Sequence, residues 1–259
     1  VLAGTGAVTK LGAGTFTLSG VNTFTGALNV QAGTLGFGSA NRLTGGNAVT
    51  LSPGASLLLN NNSQTLGSLA GTGNVTLGSG TLTTGTNNSS TAYGGVISGT
   101  GGLAKSGTGV LTLTGANAYT GATTVNAGTL QLGAAERMSN NSALNVLAGA
   151  TFDLNGSNET VASIAGAGAI QLGASGATLA TAGTTTTTFS GVLAGTGNLT
   201  KGGTGTLTLS GLGFKFSGAV VELAASAADM FRAIDPFDLF TATGGQLVRA
   251  RAGAEAYSQ

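Results

Sequence analysis

Val96-Ile-Ser-Gly-Thr-Gly-Gly-Leu-Ala-Lys105, continued by Ser-Gly-Thr-Gly-Val-Leu-Thr-Leu-Thr-Gly115, decides the fold because it occurs three times. The earlier copy reads Val1-Leu-Ala-Gly-Thr-Gly-Ala-Val-Thr-Lys10, then Leu-Gly-Ala-Gly-Thr-Phe-Thr-Leu-Ser-Gly20. The later copy reads Val192-Leu-Ala-Gly-Thr-Gly-Asn-Leu-Thr-Lys201, then Gly-Gly-Thr-Gly-Thr-Leu-Thr-Leu-Ser-Gly211. Lys10, Lys105 and Lys201 are 95 and 96 residues apart. The rest of the period returns as well: Ala32-Gly33-Thr34-Leu35 as Ala127-Gly128-Thr129-Leu130, and Ser68-Leu69-Ala70-Gly71 as Ser163-Ile164-Ala165-Gly166. A fixed period of this kind is the signature of stacked repeat architectures.

Within each period, Thr15-Phe16-Thr17-Leu18, Val49-Thr50-Leu51, Val75-Thr76-Leu77 and Leu111-Thr112-Leu113 alternate apolar residues with Thr at period two and end in Gly- or Asn-rich turns. Period-two alternation predicts strands with one face inward, and Thr suits an extended backbone that faces water. Strands this short bury too little to stand alone. Stacked in register, their Leu, Val and Phe form one apolar ladder, each contributing about 1.5–3 kcal/mol against the cost of ordering the chain. The reading is an all-β parallel β-helix, or solenoid, over residues 1–218. Coils of about 20 residues place four or five in a period and on the order of ten in all, a rod of roughly 50 Å.

Composition limits the alternatives. Only 7% of the 259 residues are charged, 41% are hydrophobic, and Cys, His and Trp are absent. Disordered chains are poor in aliphatics and rich in charge, which this chain is not. No run of about 18 apolar residues is present, so no membrane-spanning helix is expected. A net charge of +1 gives no reason to bind nucleic acid. Without cysteine there is neither a disulfide nor a thiolate metal site. The chain starts at Val1 with no initiator Met or signal-peptide pattern and reads as a fragment or processed product.

Gly99-Thr-Gly-Gly-Leu-Ala-Lys105-Ser-Gly-Thr-Gly-Val-Leu-Thr-Leu-Thr-Gly115-Ala-Asn117-Ala-Tyr119-Thr-Gly121-Ala-Thr-Thr-Val125-Asn-Ala-Gly128-Thr-Leu130 resembles the passenger-associated transport repeat, the autotransporter-associated β-strand repeat of Gram-negative type V secretion. Val1–Leu35 is a second copy and Val192–Gly218 a truncated third. The resemblance implies a right-handed parallel β-helix displayed outside the outer membrane, with the repeat tied to export and folding of the passenger; it fixes no ligand. The membrane barrel of such a protein needs more strands than the 41 residues after Gly218 could hold.

Residues 219–259 differ, with 8 charges in 41 residues against 9 in the first 218. Val220, Leu223, Ala224, Ala227, Met230, Phe231 and Ile234 fall at helical spacing and predict an amphipathic helix over Ala219–Ile234, ended by Asp235-Pro236. Phe237, Leu239 and Phe240 then need a surface, and Gln246–Arg251 suggests a further short element. The segment reads as a cap on the solenoid end. Its alternatives are an assembly element docking on a next subunit, and the start of a linker.

Chemistry finds few parts. The repeat region holds three acids, Glu136, Asp153 and Glu159, and six bases, Lys10, Arg42, Lys105, Arg137, Lys201 and Lys215. General acid–base and zinc chemistry need carboxylate, His or Cys clusters, so no catalytic, cofactor-binding or metal residue is assigned. Glu136-Arg137 could be a catalytic fragment but reads as a solvated pair. A β-helix polysaccharide lyase or hydrolase needs grooves of Asp, Arg or Lys, and only one Asp occurs before residue 219. Calcium-roll and phosphate-loop patterns are incomplete, so the glycines are turn residues. Lys10, Lys105 and Lys201 could form a basic stripe but read as solubilising edge charges. Phe24, Tyr119 and Phe216 share one repeat position and read as an interior ladder rather than a sugar-stacking surface. Asn60–Asn62, Asn87–Asn88 and Asn140–Asn141 suit turns. The leading function is therefore a non-catalytic extracellular stalk or adhesin facing a surface receptor or glycan. The alternatives are a filament subunit self-associating through solenoid ends and residues 219–259, and, last, a carbohydrate-active enzyme.

Overall fold

The computed structural model describes residues 1–173 and 176–211 in full, and 215–216, 220–222, 231–234, 238–243 and 246–251 as backbone strands. The described chain is all strand, wound as a parallel solenoid of about ten coils. Each coil visits up to three faces in a fixed order. The first face is one 11-stranded sheet, starting Val8–Lys10, Leu28–Val30, Ala48–Leu51 and ending at Lys215–Phe216. The second carries a five-stranded sheet from Thr15–Leu18 to Ile97–Ser98 and, further along, a four-stranded sheet from Glu159–Val161 to Val220–Glu222. The third runs from Gln64–Thr65 through Leu103–Lys105 and Ala143–Val146 to Leu207–Leu209 and beyond.

Register explains why one core suffices. On the first face Leu111, Leu130, Phe152, Ile170 and Leu193 stand in one line across successive coils, and on the second Leu35, Leu57, Val75 and Ile97 do the same. All of them are buried. Their neighbours Thr112, Gln131, Asp153 and Gln171 point the other way, as the pleat requires. Coil length is not constant: the step from Thr151 to Ala169 takes 18 residues and that from Ala169 to Val192 takes 23. The surplus goes into corners.

Some corners can only be glycine. Gly71 and Gly166, repeat equivalents, have φ of 99° and 106°, and a Cβ would run into the carbonyl oxygen of Leu51 or Val146 in the preceding coil. Asn60, Asn61 and Asn88 take left-handed backbone as their turns demand, while Asn140 and Asn141 occupy a turn without it.

The sequence period and the coil are out of phase. Val8–Lys10 lies on the first face, Leu103–Lys105 on the third and Asn198–Lys201 on the second. Between the first two, the chain passes the first face at residues 28, 48, 68 and 91, then the second at 97, before it reaches 103 on the third. One sequence repeat is thus four coils plus two-thirds of another, and the following repeat advances by the same amount.

The helix expected over Ala219–Ile234 lies mostly outside the described residues. The described parts of that span, Val220–Glu222 and Phe231–Ile234, are instead strands, in parallel register with Leu199–Lys201 and Leu207–Leu209. Helical spacing competes here with an open strand edge and β-branched Val220 and Val221, and the edge offers backbone partners that an isolated helix lacks. Asp238–Thr243 and Gln246–Arg251 follow as antiparallel strands.

Candidate functional site

The repeat-specific residues sit at corners, and the structure gives each a mechanical task. Lys105 ends a third-face strand with its side chain turned into the corner, leaving the residue 1% exposed. Its ammonium donates to the carbonyls of Ser106 at 2.7 Å, Gly107 at 2.9 Å and Ala127 at 3.3 Å, so its three protons tie one turn to the next coil. Burial pushes the Lys105 amine below its ordinary value. Lys10 repeats the arrangement on Leu11, Gly12 and Ala32 carbonyls, and Lys201 on those of Gly202 and Gly203. The expectation that these lysines are solubilising edge charges is therefore corrected. Lys105 and Lys201 are buried, Lys10 is half-buried, and backbone carbonyls in fixed geometry hold each ammonium that water would otherwise solvate. They form no stripe either, since each stands on a different face.

Asn22 and Asn117, also repeat equivalents, act as staples. Asn117 Oδ1 accepts from the Ile97 N–H at 2.9 Å, and its Nδ2 donates to the Arg137 carbonyl at 2.7 Å. One buried amide thereby links the coil before with the coil after. Asn22 does the same with Leu2 and Arg42. Sequence reading passed over both, although their 95-residue spacing was visible.

Phe24 and Tyr119 are interior, as the ladder reading requires; the Phe216 side chain lies outside the described residues. Tyr119 has its hydroxyl 2.6 Å from Thr123 Oγ1, which is 2.9 Å from Ser142 Oγ, so the polar tip is satisfied inside the core. Burial raises the Tyr93 and Tyr119 phenols well above their ordinary value.

Glu136-Arg137 occupies a corner. Glu136 has φ 50° and accepts from Thr160 Oγ1 at 3.2 Å, while the Arg137 guanidinium donates to the Ala135 and Thr114 carbonyls. Glu159, one coil on, is buried and receives the N–H groups of Arg137 and Met138. Asp153 stands apart, on the outer side of the first face, in a polar ladder. Gln131 Nε2 donates to its Oδ2 at 2.9 Å, and Thr112 Oγ1 lies 3.2 Å from Gln131 Oε1. Among the described residues no three His, Cys, Asp or Glu side chains converge, and none of their helices is long and apolar enough to cross a membrane. A cavity of about 550 Å³ at the first coils is lined by apolar Leu2, Val8, Phe16, Leu28 and Leu35, with Lys10 at its edge.

Residues 8–36, 103–132 and 199–221 match the passenger-associated-transport-repeat family. Each match opens on the lysine-ended strand, and the first two contain the asparagine staple. The chain is similar to the adhesin BmaC autotransporter of Brucella suis biovar 1 (strain 1330), with 40% identity over 196 residues. That alignment takes in 70% of this chain and 5% of the adhesin, so the chain spans a small fraction of that relative's length. No solved structure matches the chain. Repeats and relative together place it at the cell surface or associated with the outer membrane. The chain carries the passenger-associated transport repeats of autotransporter passengers and is similar to an adhesin of that type.

Proposed function

We propose that this chain is a non-catalytic stalk or adhesin module, which holds a recognition surface away from the cell and meets its partner with the flat faces of the solenoid. The observation that carries the reading is where the polar groups go. The repeat's cations and amides are spent inside, on backbone carbonyls at the corners. What remains outside is a regular grid of hydroxyls and amides, with Thr112, Gln131 and Asp153 already joined by hydrogen bonds. Such a face is preorganised for the hydroxyls of a glycan or the polar surface of a receptor. Similarity to an adhesin supports the same direction. Binding of the purified chain to a glycan array and to host-cell surfaces tests it; retention on neither would overturn it. A polysaccharide turnover screen addresses the enzymatic alternative, and product release there would replace this reading.

A second reading, end-to-end self-association, is favoured by one observation: Leu11 and Phe16, both exposed, line the apolar cavity at the first coils. A further coil of a longer chain would cover the same surface. Electron microscopy of the purified chain separates the two, discrete rods supporting the stalk and fibres the filament.

A further inference from the structure

The parallel ladder opens at equivalent places in the two copies of the repeat. Ser68–Gly71 joins Thr91–Tyr93 of the next coil only through Gly71 and Tyr93, and Ser163–Gly166 joins Thr187–Phe189 only through Gly166 and Phe189. Toward the preceding coil each of these strands is paired at four positions. In both copies the departing strand follows a long corner, residues 85–90 in one and 182–186 in the other. The earlier opening is bridged by Asn87, whose N–H donates to the Gly67 carbonyl at 3.1 Å and whose Nδ2 donates to Ser68 Oγ at 3.2 Å. The later corner reads Ala182-Gly183-Thr184-Thr185-Thr186 and carries no amide side chain to do the same. A cavity of about 10 Å³ lies there instead, with Ser163, Thr181, Thr187 and Lys201 among its walls. Thr181 is 3% exposed, and its Oγ1 has no hydrogen-bond partner among the described residues.

We propose that this cavity is a binding site for one internal water, which bridges Thr181 Oγ1 to Ser163 Oγ and stands where the Asn87 amide stands one repeat earlier. A space of this size takes a single water. Internal waters settle where about two to four polar groups converge, whereas cavities walled by hydrocarbon alone stay dry. The hydroxyls of Ser163, Thr181 and Thr187 meet that condition, with Ile164 and Leu207 closing the apolar side. The Lys201 ammonium bounds the cavity and is itself held by the Gly202 and Gly203 carbonyls. A water there accepts from the Thr181 hydroxyl and donates to Ser163, so a buried donor is satisfied and three successive coils are tied across the opened ladder.

A crystal structure of the full chain, at a resolution that places ordered water, tests the site, and oxygen-17 magnetic relaxation dispersion counts long-held waters in solution. The wild-type map should show one water within hydrogen-bond distance of Thr181 Oγ1 and Ser163 Oγ. In Thr181→Val that water should be lost and the dispersion amplitude should fall by the equivalent of one molecule, while Thr181→Ser should keep both. A wild-type map without density between the two hydroxyls overturns the proposal. So does a dispersion amplitude that Thr181→Val leaves unchanged, or a halide in the cavity, recognised by anomalous scattering after bromide replaces chloride. Were Thr181→Val not to fold, the wild-type map still decides.

Discussion

Replacing Lys105 with Met is expected to destabilise the solenoid by about 3 kcal/mol. Met preserves the length and apolar character of the stem, so packing changes little, and the loss is confined to the ammonium. The carbonyls of Ser106, Gly107 and Ala127 each forfeit a donor in a corner that is only partly open to water. An acceptor stranded in this way costs about 1 kcal/mol or more, and three give the figure above. Lys10→Met removes an equivalent set of bonds, yet its corner is half-exposed and water can replace the ammonium. Its cost should stay below about 1 kcal/mol. Guanidinium unfolding followed by circular dichroism measures both, with the slope checked for each variant, because a solenoid can unravel in parts. A Lys105→Met chain within about 0.5 kcal/mol of wild type would refute the reasoning, as would equal costs at the two positions.

Other substitutions probe the remaining corners. Asn117→Ala should cost about 1–3 kcal/mol in the same assay, since it strands the Ile97 N–H, while the Arg137 carbonyl keeps the Asn117 backbone N–H. Thr84 and Thr181 are buried with hydroxyls that find no partner among the described residues, so Thr84→Val should be neutral or stabilising by up to about 1 kcal/mol; a clear loss would show that the hydroxyl is satisfied. Gly166→Ala places a Cβ against the Val146 carbonyl at positive φ, and thermal unfolding should register a larger loss than Gly149→Ala, where nothing lies within 4 Å.

Much of this architecture could be read from the chain, because alternation of Leu or Val with Thr is itself a record of inside and outside. The strands Thr15–Leu18, Ala48–Leu51 and Val110–Leu113 stand where that alternation put them. Phe24 and Tyr119 went inward for the same reason. The lysines misled, because a cation is ordinarily solvated and nothing about an isolated Lys announces that backbone carbonyls will surround it. The signal lay in the company it keeps, a lysine always followed within two residues by glycine. Over Ala219–Ile234, spacing at a helical period was outweighed in the described parts by an edge to pair with, which one-dimensional periodicity cannot register. Glu159 was named only as an acid. Its equivalence with Gln64 across one period was available and would have marked it as a side chain that holds backbone N–H groups of the preceding coil.

The mismatch between repeat and coil has a geometric outcome for any longer array. Removing one repeat unit would shorten the rod by about 22 Å, taking about 4.8 Å per turn, and would swing everything beyond the cut through a third of a revolution. Edits of this kind leave the interior intact, because each side of the prism accepts the same side chains. What changes is the azimuth at which distal features are presented. A determinant written once per repeat therefore spirals around the shaft and returns to its starting side only with every third copy, so one planar target would engage a sparse subset of them at a time.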